Sequence, residues 1–229
     1  MLSFEDIARE SGTDKVYHHG YHRFYPTFLE SIRDSATAIL EIGIDKGASV
    51  NLWLRYFNKA VIHAIDINTE EFISDRIKLF KADQSSLSDL ERVSKAIREP
   101  VQFIIDDGSH VPEHQVISFE YLFKNLLQPG GVYIVEDIEQ SYWNNKEHKY
   151  GYKSPSSFIE RVKPLIDSIN IEFVNSNSKD QATREACVSR EICDMISTMT
   201  FGQNCIIFTK KTLPEMMYNN RPYRFAGFV

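Results

Sequence analysis

Two segments of the chain end apolar runs in adjacent carboxylates. IIDDGSH (104–110) carries Asp106 and Asp107, with His110 three residues past Asp107, and YIVEDIEQSYW (133–143) carries Glu136 and Asp137. Carboxylate oxygens suit hard divalent cations such as Mg²⁺, and an imidazole beside them suits proton acceptance near neutral pH. The combination implies metal-assisted chemistry. A third segment, LEIGIDKG (40–47), puts Gly43 and Gly47 in a turn where a backbone can approach a ligand closely. It lacks the G-x-G-x-x-G run that cradles a pyrophosphate on bare amides, so a dinucleotide is disfavoured. Asp66, in AIDIN, is placed for ribose hydroxyls, and Asp83 and Gln84, in ADQ, for an adenine edge.

These residues need a frame, and the hydrophobic pattern supplies one. Strand patterns at 36–43, 60–68, 77–83, 101–107 and 132–137 alternate with helical spacing at 49–57, 87–99 and 113–127. PGG (129–131) reads as a turn before the fifth strand, and 155–169 as a further helix. ISTMTF and NCIIFTK, separated by Gly202 and Gln203, read as a closing antiparallel hairpin. The expected fold is α/β, a Rossmann-like, doubly wound seven-stranded sheet, mostly parallel with a C-terminal antiparallel hairpin. One domain over 1–229 is expected: a lid or cap at 1–34 with one helix near 24–33, a catalytic core at 35–211, and a tail at 212–229. The polar stretch 175–194 carries no clear pattern. Ligands of such sheets sit beyond the carboxyl ends of the strands. Glu41, Asp66, Asp83, Asp106, Asp107, Glu136 and Asp137 all fall at those ends.

Composition narrows the function. A net charge of −6 disfavours a nucleic-acid partner, which needs a basic surface. No apolar run reaches the ~18 residues of a membrane span, and MLSFEDIARE has no apolar signal region. Cys187, Cys193 and Cys205 are odd in number and form no C-x-x-C, which points to a reducing cytoplasm. The histidines of VYHHGYHRFY have no accompanying cysteines or acids, so an aromatic-rich lid fits them better than a transition-metal site.

E-x-G-x-x-x-G followed by an acid after the second strand resembles the S-adenosylmethionine site of class I methyltransferases. GTDK (12–15), LEIGIDKG, AIDIN, IIDDGSH, PGGVYIVEDIEQSYW (129–143) and TFGQNCIIFTKK together resemble, over roughly 12–211, the metal-dependent sugar O-methyltransferases of the macrolide type. The resemblance implies that S-adenosylmethionine is held by Glu41, Gly43, Asp66, Asp83, Gln84 and Asp106, with GTDK folded over it and Thr13 and nearby Tyr17 as candidates for contacts. It implies Asp107, Glu136 and Asp137 as ligands of Mg²⁺ (or Mn²⁺), and His110 as general base. Tyr142, Trp143 and His19 are candidates for the sugar. A cation chelating two neighbouring hydroxyls lowers their pKa and aims one at the sulfonium methyl.

Structural alternatives stand beside these roles. Asp66, Asp106 and Asp107 could cap helices, the glycines could serve an ordinary turn, and Tyr142 and Trp143 could be packed. Rival functions are a catechol-type O-methyltransferase, for which an Asp-Asn second pair is usual, and a non-catalytic S-adenosylmethionine-binding protein. The chain is shorter than the macrolide members, so a nucleotide sugar or polysaccharide precursor joins glycosylated natural products as the expected acceptor. The apolar tail suggests a homo-oligomer, a dimer or tetramer.

Overall fold

The computed structural model describes residues 2–68, 74–143, 150–171 and 188–217. Cys187, most of the 175–194 stretch and the tail from 218 onward lie outside the described residues. Seven strands form one sheet in the order β3-β2-β1-β4-β5-β7-β6. They are β1 (Ala38–Ile42), β2 (Val61–Asp66), β3 (Ile77–Lys81), β4 (Val101–Asp106), β5 (Leu127–Glu136), β6 (Ile196–Gly202) and β7 (Cys205–Lys210). The first five run parallel, and β7 pairs antiparallel with both β5 and β6. Strand order reverses between β1 and β4, so the crevice opens beyond Ile42 and Asp106.

Successive strand residues face opposite sides of a sheet, and the core divides on that parity. Leu40, Ile104, Tyr133, Val135 and Phe208 pack with α5 (Leu87–Ala96) and α6 (Pro112–Asn125). Ile39, Phe103, Ile105, Ile134 and Ile207 pack on the other face with α4 (Ala48–Tyr56) and the N-terminal segment. That segment is more structured than its polarity suggests. Helix α1 (Phe4–Ser11) starts at Ser3, whose hydroxyl and the Asp6 carboxylate form a capping box, and stops at Gly12 in the left-handed region. Short helices α2 (Asp14–Tyr17) and α3 (Tyr25–Leu29) follow. Phe4, Tyr21 and Tyr25 are buried in the same core as Trp53 and Tyr56.

Two sequence expectations change in detail. PGG does not precede β5 but lies inside it. Val101 pairs with Leu127 and Phe103 with Val132, so Pro129, Gly130 and Gly131 loop out as an irregularity in a longer strand. The helix expected over 155–169 divides into α7 (Phe158–Val162) and α8 (Leu165–Ile169). Pro164 lies between them and has no N–H to donate into the preceding turn. A further helix, α9 (Arg190–Met195), precedes β6, and α10 (Leu213–Met217) follows β7. No described helix is long and apolar enough to cross a membrane.

Candidate active site

The crevice at the β1/β4 reversal has a volume of about 800 Å³, and its walls include Thr13, Gly43, Asp66, Asp83, Gln84, Asp107, Ser109, His110 and Asp137. Gly43, at φ +89°, makes it possible. A Cβ there would lie 2.0 Å from the carbonyl oxygen of Asp107 and 3.0 Å from Cα of Gly108. The glycine thus serves the close approach of two strand-end loops. Asp66 accepts from Ile44 N–H at 2.8 Å through Oδ2 and from Asn68 N–H through Oδ1, fixing the loop after β1 against the end of β2.

Asp106 and Asp107 diverge as strand parity requires. Asp106 faces α6 and is wholly buried. It accepts from Ser118 Oγ at 2.5 Å and from Gln84 Nε2 at 3.0 Å. Gln84 Oε1 in turn accepts from Ser109 N–H at 2.6 Å, so this buried chain anchors the DGSH loop. Burial pushes the Asp106 carboxyl up, and the Ser118 and Gln84 donors oppose it. Neither Asp106 nor Glu41 reaches the crevice wall. Glu41 is buried behind it, accepting from the Trp53 indole at 3.0 Å, and burial raises its pKa to about 7 against the opposing pull of Lys15.

Asp107 and Glu136 face the N-terminal segment, where the structure adds a residue that sequence reasoning passed over. Lys15, fully buried, donates from Nζ to Asp107 Oδ2 and to Glu136 Oε2, both at 2.6 Å. Burial alone would discharge the ammonium, but the facing Asp107 and Glu136 carboxylates outweigh it and raise its pKa. Tyr25 donates to the other oxygen of Glu136. Glu136 is therefore directed into the protein, engaged at both oxygens.

Asp137 lines the crevice and also bonds the N-terminal segment. It adopts φ +51°, and His110 φ +55°, conformations uncommon outside glycine that tend to gather at functional sites. Oδ1 of Asp137 accepts from Tyr21 Oη at 2.6 Å and Asn204 Nδ2 at 3.0 Å, with His19 Nδ1 3.3 Å away. Oδ2 lies 3.9 Å from His110 Nε2. Burial pushes this carboxyl up and the Tyr21 donor opposes it. Asp107, His110 and Asp137 bring their ligand atoms within 4.8 Å of one another. The two carboxylates at that spacing suit a hard divalent cation, and the His110 imidazole stands beside them. Among the described residues, this is the one such group of three.

The remaining expected site residues scatter. Thr13 is buried and caps α2 through the Lys15 amide. Tyr17, 63% exposed, donates to the Arg9 carbonyl and lies off the crevice wall. His19 and Tyr142 line a second cavity of about 620 Å³ with Ile138, Phe201 and Asn204. Trp143 is 46% exposed and is not among the residues lining it.

No protein-family model matches the chain. It is 33% identical over 172 residues to 8-demethyl-8-alpha-L-rhamnosyl tetracenomycin-C 2'-O-methyltransferase of Streptomyces olivaceus, a match covering 72% of this chain and 45% of that protein. It is 34% identical over 163 residues to L-olivosyl-oleandolide 3-O-methyltransferase of Streptomyces antibioticus, covering 67% of this chain and 42% of the relative. The chain spans about half the length of the curated relatives it matches. The solved structure of the MycE methyltransferase from the mycinamycin biosynthetic pathway, in complex with Mg, SAH and mycinamycin VI, superposes with a TM-score of 0.78 at 22% identity. That superposition covers 99% of this chain and 57% of MycE. Strand order, reversal point and crevice are those of a class I S-adenosylmethionine-dependent methyltransferase fold. Within that class, the chain belongs with the macrolide and deoxysugar O-methyltransferases.

Proposed function

We propose that the chain is an S-adenosylmethionine- and Mg²⁺-dependent O-methyltransferase acting on a sugar hydroxyl. One observation carries the reading. The Asp107–His110–Asp137 cluster lines the crevice, and Asp137 bonds Asn204 and lies beside His19, both of which line the second cavity, so a cofactor in the first and an acceptor in the second would each lie near the cation these residues would hold. The relatives support the reaction class, since their names describe O-methylation of rhamnosyl and olivosyl groups.

In this reading Asp66 receives the ribose hydroxyls, while Asp83 and Gln84 border the adenine. Asp106 and Glu41 act from behind the wall by holding Gln84 and packing α4, and Thr13 closes the crevice from the N-terminal side with Tyr17 beyond it. Asp107 and Asp137 hold the cation, and Glu136 contributes to the same acidic set from its bonded position. A bound divalent cation supplies Lewis acidity to a vicinal diol. His110, on the crevice wall near Asp137, takes the acceptor's proton, a role favoured when a base's pKa lies near the working pH. His19 and Tyr142, with Trp143 beyond the lining, form the acceptor side. Tyr142 and Tyr152 are both exposed with ring centroids 6.4 Å apart, a surface on which a pyranose can stack.

The proposal extends to a nucleotide sugar or polysaccharide precursor as acceptor, to a homo-oligomer, and to the cytoplasm. Cys193 and Cys205, both free and buried, are compatible with a reducing compartment. Its domain plan keeps 1–34 as the cap, 35–211 as the catalytic core and 212–229 as the tail. Methyl transfer from labelled S-adenosylmethionine to a panel of nucleotide sugars and glycosides, with and without EDTA, is the test. Transfer that survives EDTA would remove the cation, and calorimetry showing no cofactor binding would remove the enzyme.

A further inference from the structure

Lys15 is a fully buried cation bonded to two carboxylates of the site, and nothing in the methyl-transfer reading uses it. Each cation-facing carboxylate has one oxygen held by the protein. Tyr21 and Asn204 hold Oδ1 of Asp137, and Lys15 holds Oδ2 of Asp107. Among the described residues, no hydrogen bond engages Asp107 Oδ1 or Asp137 Oδ2. The same ammonium binds Glu136, so one of three neighbouring negative charges is matched within the protein. Two remain, equal to the charge of a divalent ion.

We propose that Lys15 is a positioning residue for the divalent cation: its Nζ fixes Asp107 with one oxygen turned to the cation and offsets the charge of Glu136 behind it. This rests on the reading that Asp107 and Asp137 hold the ion. A group that orients a ligand in this way contributes roughly 10- to 100-fold to metal affinity.

The experiment is a Mn²⁺ titration by calorimetry on the full chain without acceptor, with S-adenosylhomocysteine affinity and thermal unfolding measured in parallel. Lys15→Met should weaken Mn²⁺ binding by about 10- to 100-fold while S-adenosylhomocysteine affinity stays within about threefold. Mn²⁺ binding as tight as wild type, or tighter because the ammonium competes with the ion, overturns the proposal. Lys15→Met leaves Glu136 buried without its partner and could prevent folding. In that event K15M/E136Q is compared with E136Q, which isolates the action of Lys15 on Asp107. A further loss of about tenfold supports the proposal and equal affinity overturns it. Wild-type protein that binds no Mn²⁺ refutes the cation reading itself, a result distinct from either outcome for Lys15.

Discussion

Replacing Gly43 by alanine tests whether the glycine serves the protein or the cofactor. The added Cβ would sit 2.0 Å from the Asp107 carbonyl oxygen, 2.7 Å from its carbonyl carbon and 3.0 Å from Cα of Gly108, all backbone atoms. No side-chain rotation relieves that contact. The residue also sits at φ +89°, which costs a non-glycine residue about 1–3 kcal/mol. Forcing a methyl group into packed surroundings adds about 1–3 kcal/mol. A middle value of about 4 kcal/mol is a large share of the ~5–15 kcal/mol that stabilises an ordinary domain. At about 2–4 °C per kcal/mol for this size, Tm should fall by roughly 8–16 °C. The loop must yield at Asp107, so Mn²⁺ affinity should fall together with S-adenosylhomocysteine affinity. Differential scanning calorimetry and the two titrations read the three quantities. A variant that keeps the wild-type Tm and Mn²⁺ affinity, losing S-adenosylhomocysteine alone, would show that Gly43 clears space for the cofactor and refute the steric reasoning.

Three further outcomes follow. His110→Ala should lower kcat by about 10²- to 10⁴-fold while leaving S-adenosylhomocysteine affinity unchanged, and unaltered turnover would remove its role as base. Tyr142→Ala should raise the acceptor KM by roughly three- to tenfold with little change in kcat; an unchanged KM would take the ring off the acceptor's path. Glu41 is pushed up to about 7 by burial, so the folded protein holds a proton there that the unfolded chain releases near 4.5. The stability of wild type relative to Glu41→Gln should therefore fall as pH rises from 4.5 to 7, by on the order of 3 kcal/mol, and level off above. Denaturant titrations of both proteins across that window check it, and a difference independent of pH contradicts it.

The sheet was readable because buried parallel strands are short apolar runs between amphipathic helices, and each of the first five ended close to where its pattern ended. What stayed hidden depends on tertiary context. Helix α1 reads as polar because only Phe4, Ile7 and Ala8 turn inward, although Ser3 and Asp6 spell its capping box. The PGG irregularity shows only through its pairing with β4, where Val101 and Phe103 skip from Leu127 to Val132. The acids at the strand ends could be found by type, but their directions needed parity. Counting by twos from Ile104 puts Asp106 on the α6 face, and counting from Ile134 puts Glu136 on the face of the N-terminal segment. That count was available in the sequence for Glu136, but not for Asp137, which lies beyond the end of β5 with a positive φ and bonds Tyr21 of the same segment. Lys15 was visible in GTDK. Its partners, 92 and 121 residues away, were not.

The site therefore depends on the N-terminal segment as much as on the sheet. Strands β4 and β5 deliver Asp107, Glu136 and Asp137 close together, where like charges in a medium of low dielectric repel strongly. The sheet itself offers no cation to offset them. Lys15 comes from α2, while the hydroxyls that bond Glu136 and Asp137 come from Tyr25 and Tyr21 just beyond it. Those tyrosines stack on each other with centroids 5.2 Å apart, and His19 stacks on Tyr21 at 5.0 Å, so the segment presents its donors as one packed unit. Tyr21 and Tyr25 belong to the same core as Phe4 and Trp53. Burying that aromatic face is what fixes the ammonium and the two hydroxyls against the acids. The electrostatics of the cation site and the packing of the N-terminal segment are therefore one structural problem. A substitution that loosens either should be felt in both.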